Sequence, residues 1–456
     1  MKFEPMNRLD DGTSAFPRAS TAWYMTGVLF LLYWLSLLDR LVISLLVDPI
    51  RRDLGISDFE LSLLQGFAFG VFYAVCGLPL GWLVDRVSRR WVIFGGVTVW
   101  TLATVLCGAA QNYWQLFLAR IGVGAGEAAL SPAAYSLMAD SFPPHRLTTA
   151  LAIYSMGSLF GTGMAYLLGG LIVELVATHA LVSLPLMGEV RSWQLVFIVI
   201  GLPGLLLGLL VFTFREPLRR QAHTMHGAAT GASSANALQE VFSYIRAHAR
   251  FFTCHHIGFT ICVMAVTGMA LWAPAYLSRS FAWKPSEIGI WLGTVGTLGG
   301  LIGALLFGQL IDRQVARGKT DAHMKLFSIT CLVSCPIAVV GVLWQDPYVF
   351  LGAFFAVQIL VSPIMGISAA ALQIAAPSRL RGRLSSIYLF VMILLGIGAG
   401  PSIVAAFTDF VFQDDAKLGY SLALLFALAC PVAALILHLG RPSMRNTVAK
   451  NLLTIH

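Results

Sequence analysis

The stretch Gly81-Trp-Leu-Val-Asp85-Arg86-Val-Ser-Arg89-Arg90 returns, loosened, as Gly308-Gln-Leu-Ile-Asp312-Arg313-Gln-Val-Ala-Arg317. The Gly-x-x-x-Asp-Arg spacing is the same in both, and each copy closes a long apolar run. Working outward, each copy ends the second of six such runs. The chain therefore reads as two six-span halves joined by an internal repeat, a construction shared by many secondary transporters. The runs fall at 22–47, 57–84, 91–110, 113–140, 147–176, 193–213, 251–278, 287–311, 324–344, 347–375, 384–408 and 418–439. They are numbered spans 1 to 12. About twenty apolar residues cross a bilayer as a helix, so the expected fold class is an all-α polytopic membrane protein with twelve transmembrane helices in two pseudo-symmetric halves.

Composition agrees. The 456 residues are 57% hydrophobic and 11% charged, with mean hydropathy +0.78, whereas soluble domains carry about 25% charged residues. The net charge of +8 does not point to nucleic acid, because the basic residues sit in short loops between apolar runs. Lys and Arg concentrate at the N-terminus, in the even-to-odd loops and in the C-terminal segment, while the other side holds only Arg51, Arg52, Arg191, Arg279, Lys284 and Lys417. Both termini are thus expected in the cytoplasm, with no cleavable signal peptide. The expected divisions are a tail at 1–21, an N-half at 22–213, a linker at 214–250, a C-half at 251–439 and a tail at 440–456. Within the linker a flexible small-residue tract, 227–235, precedes Leu238, Val241, Phe242 and Ile245 at helical spacing, which predicts an amphipathic surface helix. The seven cysteines all lie in apolar runs, as small core residues do, and no metal or cofactor is expected.

Span 4 reads Arg120-Ile-Gly-Val-Gly-Ala-Gly-Glu127-Ala-Ala-Leu-Ser131-Pro132. Seven residues bring Arg120 and Glu127 to one helix face, roughly 10 Å apart along the axis. Ionisable groups at membrane depth are costly, and normally face a protein interior or a water-filled path. In span 1, Tyr33, Ser36, Arg40 and Ser44 share a face, with Asp39 on its flank. Counting rise per residue puts Asp39 about 12 Å, Arg120 about 10 Å and Glu127 about 21 Å below the same surface. The competing reading is that Asp39 and Arg40 only lock helices together. Ser131 and Tyr135 extend the candidate set in span 4. The C-half offers milder groups: Met264, Thr267 and Trp272 in span 7, and Gln358, Ser362, Met365 and Ser368 in span 10. His255 and His256 read as interfacial bystanders. A cavity charged on one wall and apolar on the other suits an amphiphile. No clustered nucleophile and base suggests an enzyme, and one lopsided charged cluster is unlike the repeated rings of a channel.

The paired Gly-x-x-x-Asp-Arg motifs, Arg120 with Gly122, Gly124 and Gly126, and Gly157-x-x-x-Gly161-x-Gly163 resemble the major facilitator superfamily over nearly the whole chain. Asp39-Arg40 and Arg120-x-x-x-Gly-x-Gly-Glu127-Ala-x-x-x-Pro132 resemble, within it, the spinster family, as a bacterial homologue. That resemblance implies the major facilitator fold, with helices 1, 4, 7 and 10 lining the cavity. It also implies proton-linked alternating-access transport of sphingolipids or lysophospholipids by a monomer, with a multidrug or organic-anion exporter as the alternative. Asp39 and Glu127 would then carry protons, with Arg120 switching between them, and Arg40 would hold an anionic headgroup. Gly81, Asp85, Arg86, Arg89, Arg90, Asp312 and Arg313 would form a cytoplasmic gate, the alternative being solvated topology charges.

Overall fold

The computed structural model describes residues 16–177, 181–184, 188–219, 234–377 and 380–453. The tail up to residue 15 and the 227–233 part of the small-residue tract lie outside the described residues. Among the described residues, eleven helical stretches are long and apolar enough to cross a membrane. The remaining expected crossing, span 4, is made of two shorter helices, Tyr113–Glu127 and Leu130–Ser141. Three of the spans start where a side chain accepts from their first N–H groups. Ser57 and Glu60 form a capping box before span 2, while Asn112 caps span 4 and Asp346 caps span 10.

The break in span 4 follows from Pro132. It has no N–H to give the Ala128 carbonyl, and its ring crowds that carbonyl. The chain tightens just before it, with the Ala129 N–H on the Gly126 carbonyl at 3.2 Å. Span 10 repeats the device: Pro347–Val361 stops and Ile364–Ala375 resumes, with Pro363 between. Spans 4 and 10 hold equivalent places in the two halves, so the pseudo-symmetry extends to their breaks.

Other departures from a plain helix cluster at the seam between halves. Span 1 is α-helical over Ala19–Leu41 and then tightens to a 3-10 turn, Val42–Leu45. Span 2 carries a π-turn at Leu63–Phe67, and span 11 carries one at Met392–Ile397. These two spans meet where a Cβ on Gly66 would strike the Gly398 carbonyl, so the backbones themselves are in contact. The linker helix forms over Ser234–Ala247, as the spacing predicts. Two elements differ from the sequence reading. A hairpin, Leu181–Leu184 with Gly188–Arg191, joins spans 5 and 6. The last helix runs on through Leu453, so no separate tail begins at 440.

The face bearing the linker helix is called the linker face and the opposite one the far face. On the far face the halves are tied together: Arg279 bonds Asp58 at 2.7 and 2.8 Å and Asp48 at 2.8 Å, and Arg51 bonds Asp415 at 2.8 Å. On the linker face Asp85, Arg86, Asp312 and Arg313 are exposed, and no ion pair joins the halves there among the described residues.

Candidate functional site

Spans 1, 2 and 4 bring the N-half charges together. Arg40 donates to the Glu127 carboxylate at 2.6 Å; the arginine side chain is 22% exposed and the glutamate 1%. Here Arg40, expected at a headgroup, holds Glu127, and Arg120, expected to switch between Asp39 and Glu127, pairs with neither carboxylate. Helical side chains lean toward their own N-termini. Spans 1 and 4 run antiparallel, so Arg40 and Glu127 lean toward one another and the long guanidinium arm closes the difference in depth. Arg120, on the same helix as Glu127, leans with it toward the far face and so points away from that carboxylate. It donates to the Leu64 carbonyl within the π-turn of span 2 and to the Asp39 carbonyl, both at 3.2 Å, and it forms no ion pair within 4.0 Å among the described residues.

Asp39 is 1% exposed, and neither of its carboxylate oxygens has a hydrogen-bond partner among the described residues. Glu127 Oε1, Arg40 Nε and Arg120 Nη2 are likewise buried without one. Two cations and two carboxylates therefore share one wall, with several polar atoms unmatched, an arrangement that costs stability and occurs mainly where function requires it. Phe69 lies between the two guanidiniums, its ring centre 4.3 Å from Arg40 and 5.8 Å from Arg120. Tyr73, one turn on, is 5.5 Å from Arg40. Both distances to Arg40 are within cation–π range. Gly124 makes the close approach of spans 2 and 4 possible, since a Cβ there would strike the Phe69 carbonyl.

Around this pair lies an aromatic patch. Tyr33 stacks on Tyr154 at 5.0 Å, Tyr135 meets Tyr154 edge-on at 5.6 Å, and the Ser131 hydroxyl is 3.4 Å from the Tyr154 hydroxyl. Tyr33, Ser131 and Tyr135, all candidates from the sequence, are thus brought together around Tyr154. Phe69, Tyr73 and Tyr154 are additions. The first two sit four residues apart in span 2, a helical repeat that the charged residues overshadowed.

Ser36 and Ser44 leave the polar stripe. Both are buried, their hydroxyls bonded to their own helix at Tyr33 O (2.9 Å) and Leu41 O (2.7 Å). Buried helical serines commonly satisfy themselves in this way. The 3-10 turn after Leu41 also rotates Ser44 off the stripe. In span 7, Trp272 is fully buried with its indole N–H on the Pro401 carbonyl at 2.9 Å, and Thr267 donates to the Gly396 carbonyl at 3.0 Å. These two brace span 7 against span 11 instead of lining a cavity. Ser362 falls at the break of span 10, half-buried; Met264 is half-buried and Met365 exposed. His255 is fully buried, not interfacial, with Nε2 2.9 Å from the Ser368 carbonyl and Nδ1 3.3 Å from His256 Nδ1.

The motif at 81–90 divides. Asp85 and Arg86 are exposed, whereas Arg89 is fully buried inside the N-half. Its guanidinium binds Asp140, Glu216 (2.9 Å) and the Pro217 carbonyl (2.7 Å). Arg90 donates to the Phe214 carbonyl at 2.7 Å. Arg89 and Arg90 therefore staple spans 3 and 4 to the start of the linker and do not reach the other half.

The described chain is similar in fold to the crystal structure of a bacterial homologue of the human lysosomal transporter spinster, in an inward-facing and unoccupied conformation. The TM-score is 0.77 at 23% identity, covering 95% of this chain and 99% of that one. In sequence it is similar to an MFS-type efflux pump of Mycolicibacterium smegmatis, 29% identical over 94% of both chains. It is also similar to protein spinster of Drosophila melanogaster, 24% identical over 69% of this chain and 50% of that protein. A family model described as the Major Facilitator Superfamily matches residues 29–401, and the chain belongs to that superfamily.

Proposed function

We propose that this major facilitator transporter moves an amphiphilic lipid of the sphingolipid or lysophospholipid type by proton-linked alternating access. The observation that carries the reading is the Arg40–Glu127 pair: a strong ion pair on a membrane-embedded wall, its cation partly open, beside an aromatic patch. An anionic headgroup would compete with Glu127 for the Arg40 fork, and the displaced carboxylate would take a proton. Substrate and proton would thus be linked through one guanidinium. Asp39, with neither oxygen bonded, is the second proton carrier, and the Tyr33–Tyr154 patch would receive the apolar shoulder of the substrate.

The linker face is taken as cytoplasmic, from the Lys and Arg distribution. Asp85 and Arg86, with Asp312 and Arg313, form the gate that closes there. A Cβ on Gly81 or Gly308 would meet nothing within 4 Å, which supports an approach made in another state of the cycle. A second reading, export of drug-like molecules, is favoured by the efflux-pump relative. Uptake into proteoliposomes of lysophospholipids, sphingosine phosphate and cationic dyes, with and without a pH gradient, separates the two. In the same assay Glu127→Gln and Asp39→Asn are expected to lose proton-driven accumulation by tenfold or more while keeping exchange down a substrate gradient. Full proton-driven accumulation in both variants would sink the coupling assignment.

A further inference from the structure

Spans 2 and 3 part on the side of the N-half away from the charged wall. They leave an apolar groove of about 630 Å³, with Trp82 from span 2 and Trp91, Gly95 and Val99 from span 3 on its sides. Its floor includes Gly126, in the last turn before the break of span 4, and Ala129, within that break. Trp82, Trp91 and Val99 are exposed, so the groove opens to the surroundings of the helix bundle, which within a membrane is acyl chain. At its linker-face rim the Arg86 guanidinium lies 3.6 Å above the Trp82 ring. Arg86 is exposed and has no other partner among the described residues. Arg219 stands close by, bonded to the Val84 carbonyl at 2.8 Å and the Val87 carbonyl at 2.5 Å. The acids near the rim are Asp85, exposed, and Glu216, which is committed to Ser88 and Arg89.

We infer that this groove is a binding site for one bilayer phospholipid with an anionic headgroup, one acyl chain lying in the groove and the phosphate on Arg86. A guanidinium held flat on an indole keeps its N–H fork directed outward, and that fork matches phosphate oxygens. Trp82 and Trp91 belong at the interfacial depth where headgroup meets chain. The bound chain rests on the back of the break that carries Glu127, so its presence bears on the geometry of the Arg40–Glu127 pair from outside the transport path. The inference stands independently of which substrate is carried.

The test uses the purified, delipidated full-length protein in detergent. Phosphatidylglycerol or phosphatidylcholine with identical chains is titrated in, and bound lipid is counted by native mass spectrometry. Wild type is expected to hold one phosphatidylglycerol about fivefold or more tighter than phosphatidylcholine, the effect of one basic side chain at an anionic headgroup. Arg86→Gln removes that preference. A Cβ on Gly95 would meet nothing within 4 Å, so Gly95→Leu fills the groove without a clash and is expected to remove the tight lipid altogether. Gly352→Leu, equally open and exposed on span 10, is expected to change nothing. Equal binding of the two lipids by wild type, persistence of the tight lipid in Gly95→Leu, or its loss in Gly352→Leu overturns the inference.

Discussion

A guanidinium buried among apolar helices needs acceptors for its N–H groups, and the N-half answers that need in three ways. Arg40 takes a carboxylate, Arg120 takes two carbonyls, and Arg89 takes two carboxylates and two carbonyls. The Arg89 staple makes a pH prediction. Burial alone would raise the Glu216 carboxyl, but hydrogen bonds from the Ser88 hydroxyl and from the Arg89 backbone and guanidinium outweigh it and hold the group below its ordinary value. A depressed folded value means the contribution is fully present above the unfolded carboxylate value of about 4.3 and is lost as pH falls through the folded value. Glu216→Gln is therefore expected to unfold at a lower temperature than wild type at pH 7, with the gap closing below about pH 4. A gap that stays constant from pH 7 to pH 3 would show that the carboxylate charge contributes nothing. At this scale the sequence revealed which residues were costly but not their partners. Arg120 and Glu127 share a face, yet the lean of side chains toward helix N-termini gives Glu127 to Arg40, and that depends on which helix runs beside which.

Spans 4 and 10 show how much of an element can be read in advance. Both prolines stand in plain view, but a run of apolar residues on either side reads as one span, and only the finished helices reveal that each stops and resumes. The 3-10 turn at Val42–Leu45 and the π-turns at Leu63–Phe67 and Met392–Ile397 had no sequence signature, because they arise from packing across the seam. The linker helix was legible, since Leu238, Val241, Phe242 and Ile245 repeat at helical spacing. The hairpin at 181–191 was not, being two four-residue strands without alternation. If the break in span 4 positions Glu127, mending it has opposite effects on stability and on transport. Pro132→Ala restores a donor for the Ala128 carbonyl and removes a residue that costs about 3 kcal/mol in a helix interior. The unfolding temperature in detergent is expected to rise and the initial uptake rate in proteoliposomes to fall tenfold or more. Wild-type uptake in a stabilised Pro132→Ala would mean that the break is only tolerated.

The two faces of the whole molecule differ in how the halves meet, and one buried acid accounts for most of the difference. Asp58 is fully buried, held by Arg279 from the C-half at 2.7 and 2.8 Å and by Arg51 at 3.0 Å, while Arg279 also reaches Asp48. The Phe59 N–H adds a bond to Asp409 at 2.7 Å. In the sequence, Arg51 and Arg279 register only as the sparse basic residues of one side, because their partners in the opposite half lie more than two hundred positions away. Removing one partner of a buried, hydrogen-bonded pair costs about 2–5 kcal/mol, and here the cost falls on the state in which the far face is shut. Arg279→Met leaves Asp58 with Arg51 alone and removes the most buried tie between halves, leaving Arg51–Asp415 and Phe59–Asp409. Spin labels at Gln111 and Gln345, exposed on the far-face ends of the two halves, should then report a longer-distance population that is minor in wild type. Arg51→Gln should shift it less, because its cross-half partner Asp415 is 53% exposed and a solvated acid loses little when its cation goes. If the Arg279→Met distances match wild type, the apolar seam of spans 2 and 11 at Gly66 and Gly398, and not the ion pairs, is what keeps the far face closed.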